Sequence, residues 1–104
     1  MNNEFELKLK ELRKGYINKL KDLIPSFEDL LNADSINIEE IYIKVHTVSG
    51  TSGMYGLKEL SDASAEFESY LKPYKENPTS INIEELKAKF LNYLEFMKTE
   101  IIGA

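Results

Sequence analysis

The stretch from Phe5 to Leu30 reads FELKLKELRKGYINKLKDLIPSFEDL, and its apolar side chains recur every three or four residues. This spacing places them on one face of an α-helix. The apolar positions are Phe5, Leu9, Leu12, Tyr16, Leu20, Leu23, Phe27 and Leu30. Pro25 removes one backbone donor and crowds the preceding turn, which predicts a bend or a break there. We therefore expect one long helix over about residues 3–32, bent or broken near Pro25.

Two nearly identical segments mark further helix starts. The sequence SINIEE occurs at residues 35–40 and again at residues 80–85. An asparagine at the N-cap accepts a hydrogen bond from an unpaired backbone N–H, and a glutamate three residues later completes a capping box. The residues that fit this arrangement are Asn37, Glu40, Asn82 and Glu85. The segments predict helices that begin at about Ile38 and Ile83.

Apolar residues at helical spacing continue through the rest of the chain, without a strand-like alternation of useful length. Gly56 is expected to end the second helix. The third helix is predicted over about residues 57–75 and the fourth over about residues 83–101. Four amphipathic helices with short connections predict an all-α fold, an antiparallel up-down four-helix bundle in one domain that spans residues 1–104.

The composition excludes several classes of function. The 104 residues include 13 basic and 18 acidic side chains, so the formal net charge is −5, which argues against nucleic acid and membrane surfaces as partners. Without cysteine, the chain forms no disulfide and no Cys/His zinc site. Its apolar runs are far shorter than the ~20 residues of a membrane span, and its first residues lack signal-peptide features. We expect a cytoplasmic monomer that holds no metal and no cofactor.

The segment VHTVSGTSGMYG, residues 45–56, contains His46, which is the single histidine of the chain. Continued as a helix at about 100° per residue, the segment puts His46 opposite its apolar face, so that the imidazole points into water. From composition alone, a loop over residues 49–53 that ends the helix at Val48 fits slightly better than a helix. The position of Tyr55 on the apolar stripe favours a continuous helix.

Two glycines, Gly50 and Gly53, flank His46 on its C-terminal side. A glycine in mid-helix costs about 1 kcal/mol relative to alanine, so the pair needs a reason. One reason is that bare backbone beside His46 allows another protein to approach the imidazole. An apolar rim would complete such a docking face. The rim residues are Tyr42, Ile43 and Leu57.

The run HTVSGTSGMYGL, residues 46–57, resembles the signature of histidine-containing phosphotransfer (HPt) domains, in which a glycine follows the phosphorylated histidine by four residues. The matching positions are His46, Val48, Gly50, Thr51, Ser52, Tyr55 and Gly56. The resemblance implies a four-helix bundle with the histidine exposed in mid-helix. It also implies that His46 is the phosphoacceptor of a carrier protein, which is not an enzyme and has no ATP site of its own.

The resemblance implies partners as well. The phosphoryl group would come from the aspartate of a response-regulator receiver domain, or from a kinase such as a hybrid histidine kinase, and would pass to another receiver aspartate. Mg²⁺ is expected on the receiver and not on this chain. Gly50 would clear space for the receiver. The docking surface would also include Gly53, Ser49, Tyr42, Ile43 and Leu57.

Members of this family often carry Gln or Glu on the next helix, hydrogen-bonded to the second ring nitrogen of the histidine. The pair Phe67-Glu68 matches that position. By this resemblance, Glu68 would orient the imidazole through Nδ1 and leave the Nε2 lone pair facing outward. Glu66 is the rival, but it lies two residues away, on another side of the helix.

One position departs from the family pattern. The family commonly has Lys or Arg three residues after the histidine, where this chain has Ser49. Lys44 and Lys58 are candidate substitutes for that cation. The departure leaves open an alternative function, a helical docking module that binds receiver domains without phosphotransfer. An enzyme that uses His46 as a general base is a poor alternative, because four short helices leave little concave surface.

Overall fold

A computed structural model describes residues 2–103, which form four α-helices and one short 3₁₀ turn. The helices are α1 (Asn2–Leu31), α2 (Ile38–Met54), α3 (Lys58–Glu76) and α4 (Ile83–Gly103), and the 3₁₀ turn is Pro78–Ser80. The predicted all-α class is therefore confirmed. α1 passes through Pro25 without a break, and a bend at that residue stays a prediction.

Successive helices run antiparallel, because residue numbers rise along one helix while they fall along its neighbour. The contacts that set these directions are Arg13–Tyr55 and Tyr16–Ser52 between α1 and α2, Ser49–Ser61 and His46–Glu68 between α2 and α3, and Ser64–Tyr93 and Phe67–Phe90 between α3 and α4. The up-down four-helix bundle predicted from the short connections is therefore confirmed.

Both asparagine caps form as predicted. The Asn37 side chain accepts a hydrogen bond from the backbone N–H of Glu40 at 3.1 Å, and Asn82 accepts one from the N–H of Glu85 at 3.1 Å. Each cap satisfies one of the donors left unpaired in the first turn, which is worth about 1 kcal/mol. These local bonds explain why the two SINIEE segments each start a helix.

The glycine-containing end of α2 is helical, so the loop that composition favoured over residues 49–53 is wrong. α2 continues to Met54, and Gly56 then reverses the chain with a φ of 76°, a left-handed conformation that suits glycine. The predicted end of the helix at Gly56 is confirmed. Tertiary contacts outweigh the poor helix propensity of Gly50 and Gly53.

The core contains large apolar side chains from all four helices. Its centre is an aromatic cluster of Phe27 from α1, Phe67 from α3, and Phe90 and Tyr93 from α4, with ring centroids 5.2 to 6.0 Å apart. Two of these pairs are edge-to-face, at 89° between ring planes. Burial of each such ring stabilises the fold by about 2 kcal/mol or more, and the ring–ring geometry adds to it.

α1 is longer than its neighbours, and the side chains of its first turns are largely exposed. It has 30 residues, whereas α4 has 21 and α2 has 17. The apolar stripe predicted in α1 is therefore only partly packed. Residues from Tyr16 onward contact the core, whereas Phe5, Leu9 and Leu12 are exposed, and Leu12 borders a groove that Thr51 and Tyr55 also line.

Ser64 and Tyr93 form a buried polar pair between α3 and α4, with 2.7 Å between their hydroxyl oxygens. Burial raises the pKa of Tyr93, because the phenolate would lose its hydration in the core. The hydrogen bond to Ser64 acts in the opposite direction and only partly offsets burial. The folded protein therefore keeps this phenol protonated at pH values where the unfolded chain ionises it.

We expect the free energy of unfolding to fall as the pH rises above about 10, the ordinary pKa of tyrosine. The folded pKa of Tyr93 is raised, so its contribution is complete below that pH and is lost above it. Tyr93→Phe should cost about 1–2 kcal/mol at neutral pH, since Ser64 loses its partner. Denaturant titrations at about pH 7 and about pH 11 should show a smaller alkaline loss in the variant than in the parent protein. An equal loss in both proteins would contradict this assignment.

Candidate functional site

His46 lies midway along α2, on the face that points away from the core. Its neighbours Val45 and Val48 are buried, and they anchor the helix against the bundle. The His46 side chain itself is 67% exposed. The predicted outward position of the imidazole is therefore present, and a large partner can reach the ring from solvent.

Glu68 on α3 contacts the imidazole. The Nδ1–H of His46 donates a hydrogen bond to Oε1 of Glu68, at 2.5 Å. The carboxylate is more enclosed than the ring, since the Glu68 side chain is 19% exposed. A proton on Nδ1 of the neutral ring leaves the lone pair on Nε2. Of the two carboxylates considered from the sequence, Glu68 makes this bond, and Glu66 is exposed elsewhere on α3.

The packing of α2 on α3 explains how these two residues meet. Ser61 Oγ donates to the backbone oxygen of Ser49 at 2.8 Å, and Ser49 Oγ donates to that of Ser61 at 3.4 Å. A Cβ built on Gly53 would lie 3.2 Å from Ser61 Oγ, so this close approach favours glycine. Two turns further along the antiparallel pair, the same faces of the helices present His46 and Glu68.

The two glycines beside His46 have different surroundings. A Cβ on Gly53 would press on Ser61, which gives Gly53 a role in helix packing that the sequence did not suggest. A Cβ on Gly50 would meet no heavy atom within 4 Å in the described part of the chain. Packing therefore gives no reason for glycine at position 50, and clearance for a partner stays the predicted reason there.

Of the predicted rim residues, Tyr42 contacts the histidine ring. The ring of Tyr42 stacks on that of His46, with centroids 6.2 Å apart and an angle of 6° between the planes. The amino group of Lys75 lies 4.5 Å from the centroid of the Tyr42 ring, in cation–π geometry. Ile43 is 54% exposed, and Leu57 is half-buried in the turn after α2. Lys75 comes from the far end of α3, so local sequence could not place it here.

The cation that the family usually carries three residues after the histidine has no equivalent at Ser49, whose hydroxyl contacts Ser61. Of the candidate substitutes, Lys58 is engaged with Asp62, with 3.4 Å between Nζ and Oδ2. Both of those side chains are strongly exposed, so the pair is weak. Lys44 is half-buried on α2.

Two residues of α1, Arg13 and Tyr16, hold the C-terminal end of α2. The Nε–H of Arg13 donates to the backbone oxygen of Tyr55 at 2.7 Å. Tyr16 stacks on Tyr55 with ring centroids 4.9 Å apart, and its hydroxyl is 2.9 Å from Ser52 Oγ. Burial raises the pKa of Tyr16. Sequence reasoning missed this support, because periodicity puts Arg13 and Tyr16 on α1 but does not give the register of α1 against α2.

The described residues carry neither a metal site nor a membrane-spanning helix. Within residues 2–103, no group of three or more His, Asp or Glu side chains is arranged to hold a metal ion. None of the helices in that range combines the length and apolarity needed to cross a bilayer. The site is therefore a single exposed imidazole with a carboxylate behind it.

The sequence was compared with models of known protein families, and one of them matches. Residues 11–98 match the sequence profile of the Hpt domain. Comparisons with curated proteins and with solved structures each yield no significant match. Hpt domains have a phosphotransfer role in two-component signalling, act as phosphocarriers rather than catalysts, and interact with response-regulator receiver domains and histidine kinases. With most of its length covered by that profile, the chain belongs to the Hpt domain family.

Proposed function

We propose that His46 accepts a phosphoryl group on Nε2 from the aspartyl phosphate of a receiver domain and passes it to the aspartate of another receiver. The observation that carries this proposal is the 2.5 Å hydrogen bond from Nδ1 of His46 to Glu68. It holds the proton on the inner ring nitrogen and leaves the outer nitrogen as the nucleophile. A hybrid histidine kinase is the alternative donor.

The transfer requires little machinery on this chain. The Nε2 lone pair attacks phosphorus in line, the N–P bond forms, and the P–O bond breaks with its electron pair leaving on the receiver carboxylate. The imidazole becomes a cation that keeps its proton on Nδ1. Glu68 offsets this charge and holds the ring plane. The reverse steps deliver the phosphoryl group to the second receiver. Mg²⁺, expected on the receiver, would neutralise phosphate charge.

The surface around His46 suits docking of a receiver. Gly50 leaves open space beside the ring, whereas Ile43 offers an exposed apolar contact. We expect Tyr42 and Leu57 to complete the rim of the docking surface, with Ser49 and Gly53 beside it. Apolar contacts around a polar centre are typical of protein interfaces. The site would work within a complex, where the receiver supplies the aspartate and the cations.

Ser49 supports a second candidate function, a module that docks receiver domains without accepting phosphate. The usual cation beside the phosphoryl group would offset its charge, and here a serine hydroxyl that contacts Ser61 occupies the position. Lys58, a candidate substitute, contacts Asp62. Labelling of His46 decides between the two functions.

We expect radiolabelled phosphate to pass from a phosphorylated receiver to the parent protein and not to His46→Gln. The label should be acid-labile and base-stable, as a phosphohistidine is. The variant should keep its fold and bind the receiver, since residue 46 is exposed. An unlabelled parent protein that still binds several phosphorylated receivers would favour the docking module. Label that persists in His46→Gln would contradict the assignment of the acceptor.

Glu68→Ala should slow transfer by about tenfold or more, because the imidazole loses its orienting partner. Glu68→Gln keeps an acceptor oxygen and should lose less. The tautomer of His46, measured by ¹⁵N NMR, should shift from Nδ1–H towards Nε2–H in Glu68→Ala. Glu66→Ala, two residues away and exposed, is the matched control. An unchanged tautomer in Glu68→Ala would contradict the positioning role.

Gly50→Gln should block transfer while it leaves the fold intact or slightly more stable. The new side chain meets open space in the monomer, and glutamine favours helix by up to about 1 kcal/mol over glycine. Ala88→Gln on the exposed face of α4 is the control for added bulk. Titration calorimetry measures the affinity of each variant for the receiver, and the midpoint of thermal unfolding shows whether its fold is intact. Normal binding by Gly50→Gln would show that position 50 lies outside the interface.

A further inference from the structure

The first three turns of α1 carry an apolar face that the bundle leaves largely exposed. Phe5 is 70% exposed, Leu12 is 53% exposed and Leu9 is 37% exposed. At about 100° per residue, these three side chains lie within about 60° of one another. They continue the stripe that packs into the core further along the helix. Large contiguous apolar surface of this kind marks an interaction site more often than single exposed residues do.

The charges along the same turns are separated in sequence. Glu4 and Glu6 give the first turns a charge of −2. Residues 8–14 hold four basic side chains and one acidic one, a net charge of +3. The segment is therefore acidic at its start and basic over the two turns that follow. The match to the Hpt domain begins only at residue 11, so this acidic start lies outside it.

We propose that this face of α1 is an interface with a second copy of the chain, in which the two α1 segments pair antiparallel. In that arrangement, with Leu9 near the centre of the seam, the acidic turns of each copy face residues 12–14 of the other, and the complementary contact occurs twice. The three exposed apolar side chains would be buried in the seam. The proposal goes beyond phosphotransfer and departs from the monomer expected at the outset.

Charge also selects the direction of pairing. A parallel pair would place residues 8–14 of one copy beside the same residues of the other, with +3 against +3, and would place the glutamates together as well. An antiparallel pair centred near Leu9 separates the glutamates of the two copies and leaves only Lys8 opposite Lys10, and it opposes the two helix dipoles favourably. Arg13 remains available, because its bond to Tyr55 uses one of five guanidinium N–H groups.

The dimer should be weak. Residues 3–14 are about 18 Å of helix, and an interface built from such a segment falls below the ~1,200 Å² of total buried area typical of stable complexes. We expect association on the order of 100 µM, with exchange between monomer and dimer. High salt should weaken it further, since the charges that direct it are exposed.

Sedimentation velocity over a concentration series tests the interface. The parent protein should show a rising weight-average mass, and Leu9→Glu should weaken the dimer at least about tenfold, because a carboxylate would enter the seam. Leu91→Glu, which alters a 49% exposed leucine on α4, is the matched control and should dimerise normally. A parent protein that stays monomeric at about 1 mM, or a dimer unaffected by Leu9→Glu, would overturn the proposal.

Charge reversal and cross-linking test the direction. The double variant Glu4→Lys/Glu6→Lys should weaken the dimer although the apolar face is unchanged. The chain has no cysteine, so any disulfide-linked dimer must form through the single cysteine that is introduced. Leu9→Cys, near the centre of the antiparallel seam, should form a disulfide dimer on mild oxidation, and Phe5→Cys should not. Efficient cross-linking of Phe5→Cys, or an unweakened double variant, would overturn the antiparallel arrangement.

Discussion

The close packing of α2 on α3 is the constraint on which the site depends. Gly53 allows Ser61 to approach the α2 backbone, and the hydrogen bonds between Ser49 and Ser61 fix the register of the two helices. Because the helices run antiparallel, a register set at one point determines every contact two turns away. Glu68 therefore meets His46 without a loop or a cofactor. A rigid helix pair holds the ring more accurately than a flexible loop would.

Stability and function use different faces of the same helices. The inner face of α2 packs against the core through residues such as Val45 and Val48, and the outer face carries the imidazole. An exposed histidine requires no costly desolvation, and its only fixed polar partner within the described residues is Glu68. Two buried serine hydroxyls are instead paired with tyrosine hydroxyls, Ser52 with Tyr16 and Ser64 with Tyr93. The site can therefore stay accessible without weakening the bundle.

The length of α1 adds an asymmetry to the bundle. The middle of α1 supports the helix that carries His46, since Arg13 and Tyr16 contact the C-terminal end of α2. The start of α1 exposes an apolar face. Within one helix, the same periodic pattern of apolar side chains thus packs against the core in one part and is exposed to solvent in another. The pattern alone does not distinguish these parts, because it records which face is apolar and not what covers it.

Local sequence is enough to predict the four helices, their starts at Ile38 and Ile83, and the outward position of His46. These features depend on local periodicity, capping and backbone conformation, which short segments specify. It also singled out Glu68, through resemblance to a family. Contacts between helices, in contrast, account for the helical state of residues 49–53, the packing role of Gly53, and the approach of Lys75 and Arg13 to α2. Those outcomes depend on the register between helices, which arises from contacts far apart in sequence and has no signature in a single segment.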